Sequence, residues 1–261
     1  MDLQLTGKKA LVTGSTAGIG LAIATALARE GADVVVNGRT EARVADAVTK
    51  VRTEAKGSVS GVAADAGTRA GTDLLVAHHP DVDILVNSLG IFEPKPFAEI
   101  PDEDWQRFFE VNLLSGVRLS RAYLPGMLKR NWGRIVFISS ESGFQIPAEM
   151  IHYGVTKSAQ VSLARGLAET TAGSGVTVNS VLPGPTRSEG VEAFVEKLSG
   201  GKSFGEFERE FFTSVRPTSL LKRFESVEEI ASVVAFVCSP LASAINGAAV
   251  RAEGGVLKSA F

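Results

Sequence analysis

Tyr153 is one of only two tyrosines in the chain, and in the stretch IHYGVTKSA a lysine, Lys157, follows it four residues later. Residues four apart on a helix share a face, so this interval sets an ammonium beside a phenol. A free phenol titrates near ~10. Bringing it down by about three units takes roughly 4 kcal/mol of differential stabilisation, which a cation in a dry site supplies by Coulomb attraction. The pair then suits acid–base work on an oxygen atom, giving a proton to a carbonyl oxygen that gathers negative charge or taking one from an alcohol. The spacing alone is frequent by chance, and on an ordinary helix it is only a solvated face. The surrounding elements decide between these readings.

Short β-rich runs alternate with longer amphipathic segments. KALVT precedes GIGLAIATALARE, DVVVNG precedes TEARVADAVTKVRTEA, SVSGVAA precedes a helix over about 68–78, and DILVN precedes a long helix over about 103–130. RIVFIS then leads to a helix over about 152–172, VTVNSVLPG to a variable region, and the helix VEEIASVVAFVCS to a last strand near AAVRA. Parallel strands need crossover connections, so this alternation predicts an α/β fold: a single Rossmann-type doubly wound parallel sheet of about seven strands with helices on both faces. One domain is expected over residues 1–261, because sheet-and-helix chains of this length commonly share one core. The alternation breaks between about 184 and 224, where Phe194, Phe204, Phe207, Phe211 and Phe212 accompany Gly200 and Gly201. Two readings stay open there: short helices whose phenylalanines pack on the core or a partner subunit, or a small mobile substrate lid over about 186–224.

The turn between the first strand and first helix reads TGSTAGIG, Thr13 to Gly20, and brings Gly14, Ser15, Thr16, Gly18, Ile19 and Gly20 to a helix amino terminus. Gly14 permits a sharp turn, Gly18 lets a phosphate approach the backbone, and Gly20 lets the helix pack on the sheet. Unpaired N–H groups there face an anion. An acid about 20 residues on normally accepts hydrogen bonds from the ribose 2′-hydroxyl. Here Gly38 holds that place and Arg39 follows, a planar cation suited to a 2′-phosphate, so NADP(H) is favoured over NAD(H). Asp65, ending the third strand, binds the adenine edge or caps the next helix.

These residues, with NSLG at 87–90, Asn112, Ser140, Tyr153, Lys157 and PGPT at 183–186, resemble the short-chain dehydrogenase/reductase family over essentially the whole chain, nearest its 3-oxoacyl reductase-like group. The resemblance implies Asn112, Ser140, Tyr153 and Lys157 as the catalytic set, with Tyr153 donating the proton and Asn112 holding a water in a relay from Lys157. Ser139 competes for the serine role, but the family interval of thirteen residues to the tyrosine selects Ser140. The resemblance also implies that Asn87, Gly90, Tyr153, Lys157, Pro183, Gly184 and Thr186 line the cofactor. Leu89 and RAEGG depart from the family's N-N-A-G and V-D-G-G patterns. Phe144, Ile146 and Met150, after Ser140, join Ser140 and Tyr153 as expected substrate contacts and suggest an apolar substrate portion. Lys129 and Arg130 offer a small basic patch to an acidic acyl carrier.

The expected activity is therefore NADPH-dependent reduction of a ketone or 3-oxo group to a secondary alcohol. The alternatives are an NAD-linked sugar or polyol dehydrogenase and a non-catalytic NADP-binding regulator. A formal charge of −2 argues against nucleic acid or an anionic membrane as partner, which leaves a small molecule. No carboxylate and histidine spacing suggests a metal. The one cysteine, Cys238, excludes a disulfide within the chain, and neither a signal-peptide pattern nor a membrane-spanning apolar run is present, so a cytoplasmic location is expected. His152 adjoins Tyr153 but diverges from it by about 100° around a helix, pointing elsewhere. The family's usual association suggests a homotetramer or homodimer.

Overall fold

A computed structural model describes residues 1–192 and 203–260. Seven parallel strands form one sheet in the order β3-β2-β1-β4-β5-β6-β9. These are β1 (Lys9–Val12), β2 (Asp33–Gly38), β3 (Val59–Ala63), β4 (Ile84–Asn87), β5 (Gly133–Ile138), β6 (Val176–Pro183) and β9 (Ala249–Ala252). The order reverses between β1 and β4, and in such sheets ligands bind at the carboxyl ends of the strands beside that reversal.

Strand composition explains the two covered faces. Alternate residues of β1, Ala10 and Val12, join one buried cluster, whereas Leu11 between them joins another. The same alternation divides Val34 and Val36 from Val35, and Val136 from Ile135 and Phe137. Both faces are apolar, so both need helices. The first is covered by α1 (Gly18–Arg29), α2 (Glu41–Arg52) and α8 (Val227–Cys238); the second by α3 (Arg69–His78), α5 (Ser115–Lys129) and α6 (Ile151–Glu169). Cys238 lies inside the first cluster, where burial pushes its thiol up to about 12.

The helix expected over 103–130 is divided. It runs as α4 (Asp102–Phe109), a wide π turn at Glu110–Leu114, and then α5. Asn112 sits in that turn, a kind of irregularity that often marks functional positions in helices. No helix among the described residues is long and apolar enough to cross a membrane.

The segment expected as a lid contains α7 (Phe204–Ser214) and a short strand, β7 (Thr186–Arg187), which pairs with β8 (Glu225–Ser226) just beyond it. Phe207, Phe211 and Phe212 pack around Phe224 with ring centroids 5.1–6.5 Å away, and Phe204 lies at 5.5 Å. The phenylalanines therefore pack on one another, and Phe207, Phe211 and Phe224 also face the cavity at the strand ends. Phe194, Gly200 and Gly201 lie outside the described residues.

Candidate active site

One cavity lies over the carboxyl ends of β1, β4, β5 and β6, and it brings together the glycine turn, the Tyr153–Lys157 face of α6 and the PGPT segment. Gly14 and Gly18 have φ of +63° and +54°, the left-handed region that admits glycine cheaply. A Cβ at Gly20 would fall 2.4 Å from the Gly14 carbonyl oxygen, so the turn closes only around glycine. α1 begins without a side-chain cap and without an acid in its first turn, leaving its amino-terminal donors to an external anion. This cradle fits the pyrophosphate of a dinucleotide.

Within the turn, Gly14, Gly18, Ile19 and Gly20 face the cavity, whereas Ser15 is turned inward. Its hydroxyl donates to the Val12 carbonyl at 2.7 Å and accepts from Asn37 N–H at 2.9 Å, tying β1 to β2. Thr16 lies against Gly38. Arg39 is exposed just beyond β2, and Asp65 is exposed and accepts from Gly67 N–H in the turn leading to α3. Asn87 is buried with neither amide atom hydrogen-bonded among the described residues. Ser88 and Gly90 face the cavity, while Leu89 packs toward the core cluster beneath and against Gly14, which explains how a bulky residue is tolerated there. Pro183, Gly184 and Thr186 form the opposite wall. In RAEGG, the buried Glu253 carboxylate accepts from Val256 and Leu257 N–H and closes the turn after β9.

Ser140 follows β5 and Tyr153 stands opposite on α6. The competing Ser139 is committed elsewhere, because its hydroxyl donates to the Lys157 carbonyl at 2.8 Å and pins α6 to the sheet. Lys157 is buried; its ammonium donates to the Ile138 carbonyl at 2.8 Å and to Gln160 Oε1 at 3.3 Å, and lies 5.5 Å from the Tyr153 ring centre. Burial alone pushes it down to about 7. Burial also pushes the Tyr153 phenol up, and the Glu141 charge adds to this, while the Ser140 hydrogen bond and the Arg216 charge pull it down. In the protein alone desolvation dominates the phenol and the cation that lowers it is Arg216; the expected lowering by Lys157 belongs to the state in which the positive nicotinamide of the oxidised cofactor joins it.

Asn112 does not touch the cavity. Its amide exchanges two hydrogen bonds with the Ile91 backbone, at 2.8 and 3.0 Å, and donates to Thr156 Oγ1 at 3.0 Å. Its backbone carbonyl accepts from Gln160 Nε2. That bond fixes the Gln160 amide with its oxygen toward Lys157, so Gln160 bridges Asn112 and Lys157 directly. Sequence reasoning misses Gln160, since a glutamine at an inward helix position carries no motif.

Met150 lines the cavity, but Phe144 and Ile146 do not; they are 55% and 45% exposed. The turns after β5 carry Phe144 outward, and Ile146 rests against Gly154 instead. The apolar wall comes from residues far along the chain, Phe92, Phe207, Phe211 and Phe224, with the Phe92 ring edge-on to Tyr153 at 6.4 Å. His152 points away under α4, 3.9 Å from the Phe108 ring centre and wholly buried, and burial pushes its pKa down. Glu141 and Arg216 also reach the cavity, and neither carries a motif.

Residues 8–199 match the family model described as short chain dehydrogenase. The chain is 50% identical to the uncharacterised oxidoreductase YvaG of Bacillus subtilis over the full length of both proteins. It is 34% identical to the 3-oxoacyl-[acyl-carrier-protein] reductase FabG of Aquifex aeolicus, over 98% of this chain and 100% of that protein. Among solved structures, L-sorbose reductase of Gluconobacter frateurii, in complex with NADPH and L-sorbose, superposes with a TM-score of 0.91 at 32% identity, covering 99% of this chain and 100% of that one.

Proposed function

The chain belongs to the short-chain dehydrogenase/reductase family of NAD(P)-dependent oxidoreductases, and from that premise we propose that it reduces a ketone or 3-oxo group to a secondary alcohol with NADPH, Tyr153 donating the proton. The observation that carries this reading is the convergence of Ser140, Tyr153 and Lys157 on one cavity whose far wall is the glycine cradle. A bound nicotinamide cofactor supplies the hydride. Ser140 orients the carbonyl oxygen, and Tyr153 delivers a proton to it as its charge develops. Lys157, held by the Ile138 carbonyl and Gln160, presents its positive charge to the phenol and stabilises the phenolate left behind. Phe92, Met150, Phe207 and Phe211 exclude water from the apolar end and favour a substrate with an apolar arm.

The experiment is a panel of ketones, 3-oxoacyl thioesters and sugars, each tried with NADPH and NADH. NADPH-linked turnover of an apolar ketone or 3-oxoacyl compound is expected. Cofactor binding without turnover across the panel would instead make the chain a non-catalytic NADP-binding regulator. The likeness to L-sorbose reductase favours a second reading, a sugar or polyol substrate, which a higher kcat/KM for a sugar would select. Arg130 is held by Asp81 at 2.9 Å and by the Val82 carbonyl at 2.8 Å. That leaves Lys129 as the remainder of the basic patch, and we favour a free substrate over a carrier-bound one.

The preference for NADPH rests on β2. A Cβ at position 38 would fall 2.4 Å from Thr16 Cγ2, so an acid there requires Thr16 to shift, and Arg39 stands exposed beside it. Charge-assisted hydrogen bonds are worth about 1.5–3 kcal/mol, so Arg39→Ser should raise KM for NADPH by roughly 10- to 100-fold while leaving KM for NADH nearly unchanged. Equal changes for the two cofactors would remove Arg39 from phosphate recognition.

A further inference from the structure

A buried ion pair adjoins the proposed proton donor. Arg216, just after α7, donates through Nε to Glu141 Oε1 at 3.0 Å, and the two side chains are 8% and 6% exposed. The other carboxylate oxygen accepts from Ser140 Oγ at 2.5 Å, from Ser142 N–H at 2.8 Å and from Ser142 Oγ at 3.0 Å. The Glu141 carboxylate thus holds the hydroxyl assigned to orient substrate, while its charge stands near Tyr153. An uncompensated carboxylate there would oppose formation of phenolate.

We propose that Glu141 and Arg216 form a positioning pair for the proposed reaction: Glu141 sets the Ser140 hydroxyl, and Arg216 cancels the carboxylate charge so that Tyr153 can ionise. This rests on the reading of Tyr153 as proton donor. Ser140 has one proton and three claimants, the Glu141 carboxylate, the Tyr153 oxygen and the oxygen at the reacting centre. Arg216 withdraws charge from the carboxylate and so weakens its hold on that proton. The other charged groups facing this region are Lys157 on α6, Glu149 just before α6, whose carboxylate lies 3.7 Å from Arg216 Nη1, and Glu225 on β8, which burial pushes up, followed by the charges of Glu229, Glu253 and, least, Glu141. The shifts at Tyr153 agree in sign, Glu141 raising its pKa and Arg216 lowering it. Because Arg216 lies 75 residues from Glu141 and directly after α7, the pair also couples the Phe-rich segment to the acidity of the reacting phenol.

The test is the pH dependence of log kcat/KM for alcohol oxidation, which reports the group that must lose its proton. Arg216→Gln should raise the apparent pKa by about one unit, a tenfold loss of kcat/KM on the acid limb. Glu141→Gln should lower it, and the double variant should return it close to that of the unaltered protein, whereas Arg216→Lys should largely keep the original profile. A role limited to folding would not reverse sign between the two single changes. Denaturant midpoints provide a second readout: Arg216→Gln buries an unpaired carboxylate and should lose stability that the double variant regains. Identical profiles in all variants, or shifts of the same sign for both single changes, would overturn the pair while leaving the reductase reading intact. Absence of turnover by the unaltered protein would overturn both.

Discussion

Tyr153→Phe is expected to lower kcat for carbonyl reduction by about 10³-fold while leaving the Kd for NADPH within a few-fold, as measured by fluorescence titration and single-turnover rates. The phenyl ring preserves the edge-on contact with Phe92 and removes only the hydroxyl. Positioned acid–base groups contribute about 10²–10⁴-fold, and no other described acid of suitable reach stands beside Ser140, because the Glu141 carboxylate is already saturated by Ser140, Ser142 and Arg216. The phenol is neutral at pH 7 in both folded and unfolded chains, so its loss should leave the pH dependence of stability unchanged near neutrality. A rate equal to that of the unaltered protein would end the assignment of Tyr153 as proton donor.

Lys157→Met carries the second large effect, and its consequences for activity and stability have opposite signs. Losing the charge beside Tyr153 should reduce kcat by about 10²–10⁴-fold. Yet the folded chain releases the Lys157 proton near 7, whereas the ordinary lysine value is 10.5. Between those values the unfolded chain holds more protons, so stability rises with pH across that window, and below it the cost of the buried ammonium is felt in full. At about 1.36 kcal/mol per pKa unit, the upper bound on that cost is roughly 5 kcal/mol. Subtracting the hydrogen bonds to Ile138 and Gln160 that methionine cannot make, we expect the variant to be more stable by about 2 kcal/mol at pH 7. Urea unfolding at several pH values measures this, and the advantage should shrink as pH approaches 10. A variant less stable at pH 7, or one with the same pH slope as the original chain, would show that Lys157 is not a strained cation in the folded protein.

Much of the site was legible before folding because its signals are local. The Tyr153–Lys157 interval carries its own geometry on α6, and the TGSTAGIG turn requires positive φ at Gly14 and Gly18 wherever the rest of the chain lies. Short strands alternating with helical segments announced a parallel sheet covered on both faces, and the structure divides the strand residues between two core clusters. Two residues expected at the substrate lie off the cavity for a shared reason. Phe144 and Ile146 were placed at the substrate by proximity in sequence to Ser140, but short turns after β5 aim consecutive residues in different directions, and only Met150 reaches the cavity.

The sequence by itself determined the order of strands and helices, the glycine cradle and the phenol–ammonium face, since each depends on backbone geometry repeated over a few residues. Tertiary structure alone decided where the Ser139 hydroxyl is spent, how Gln160 reaches the Asn112 carbonyl, and that Arg216 meets Glu141 across 75 residues of chain. Such pairings leave no periodic trace. They form because the parallel sheet brings separate strand ends to one edge, where buried polar groups must find partners among whatever side chains the packing delivers.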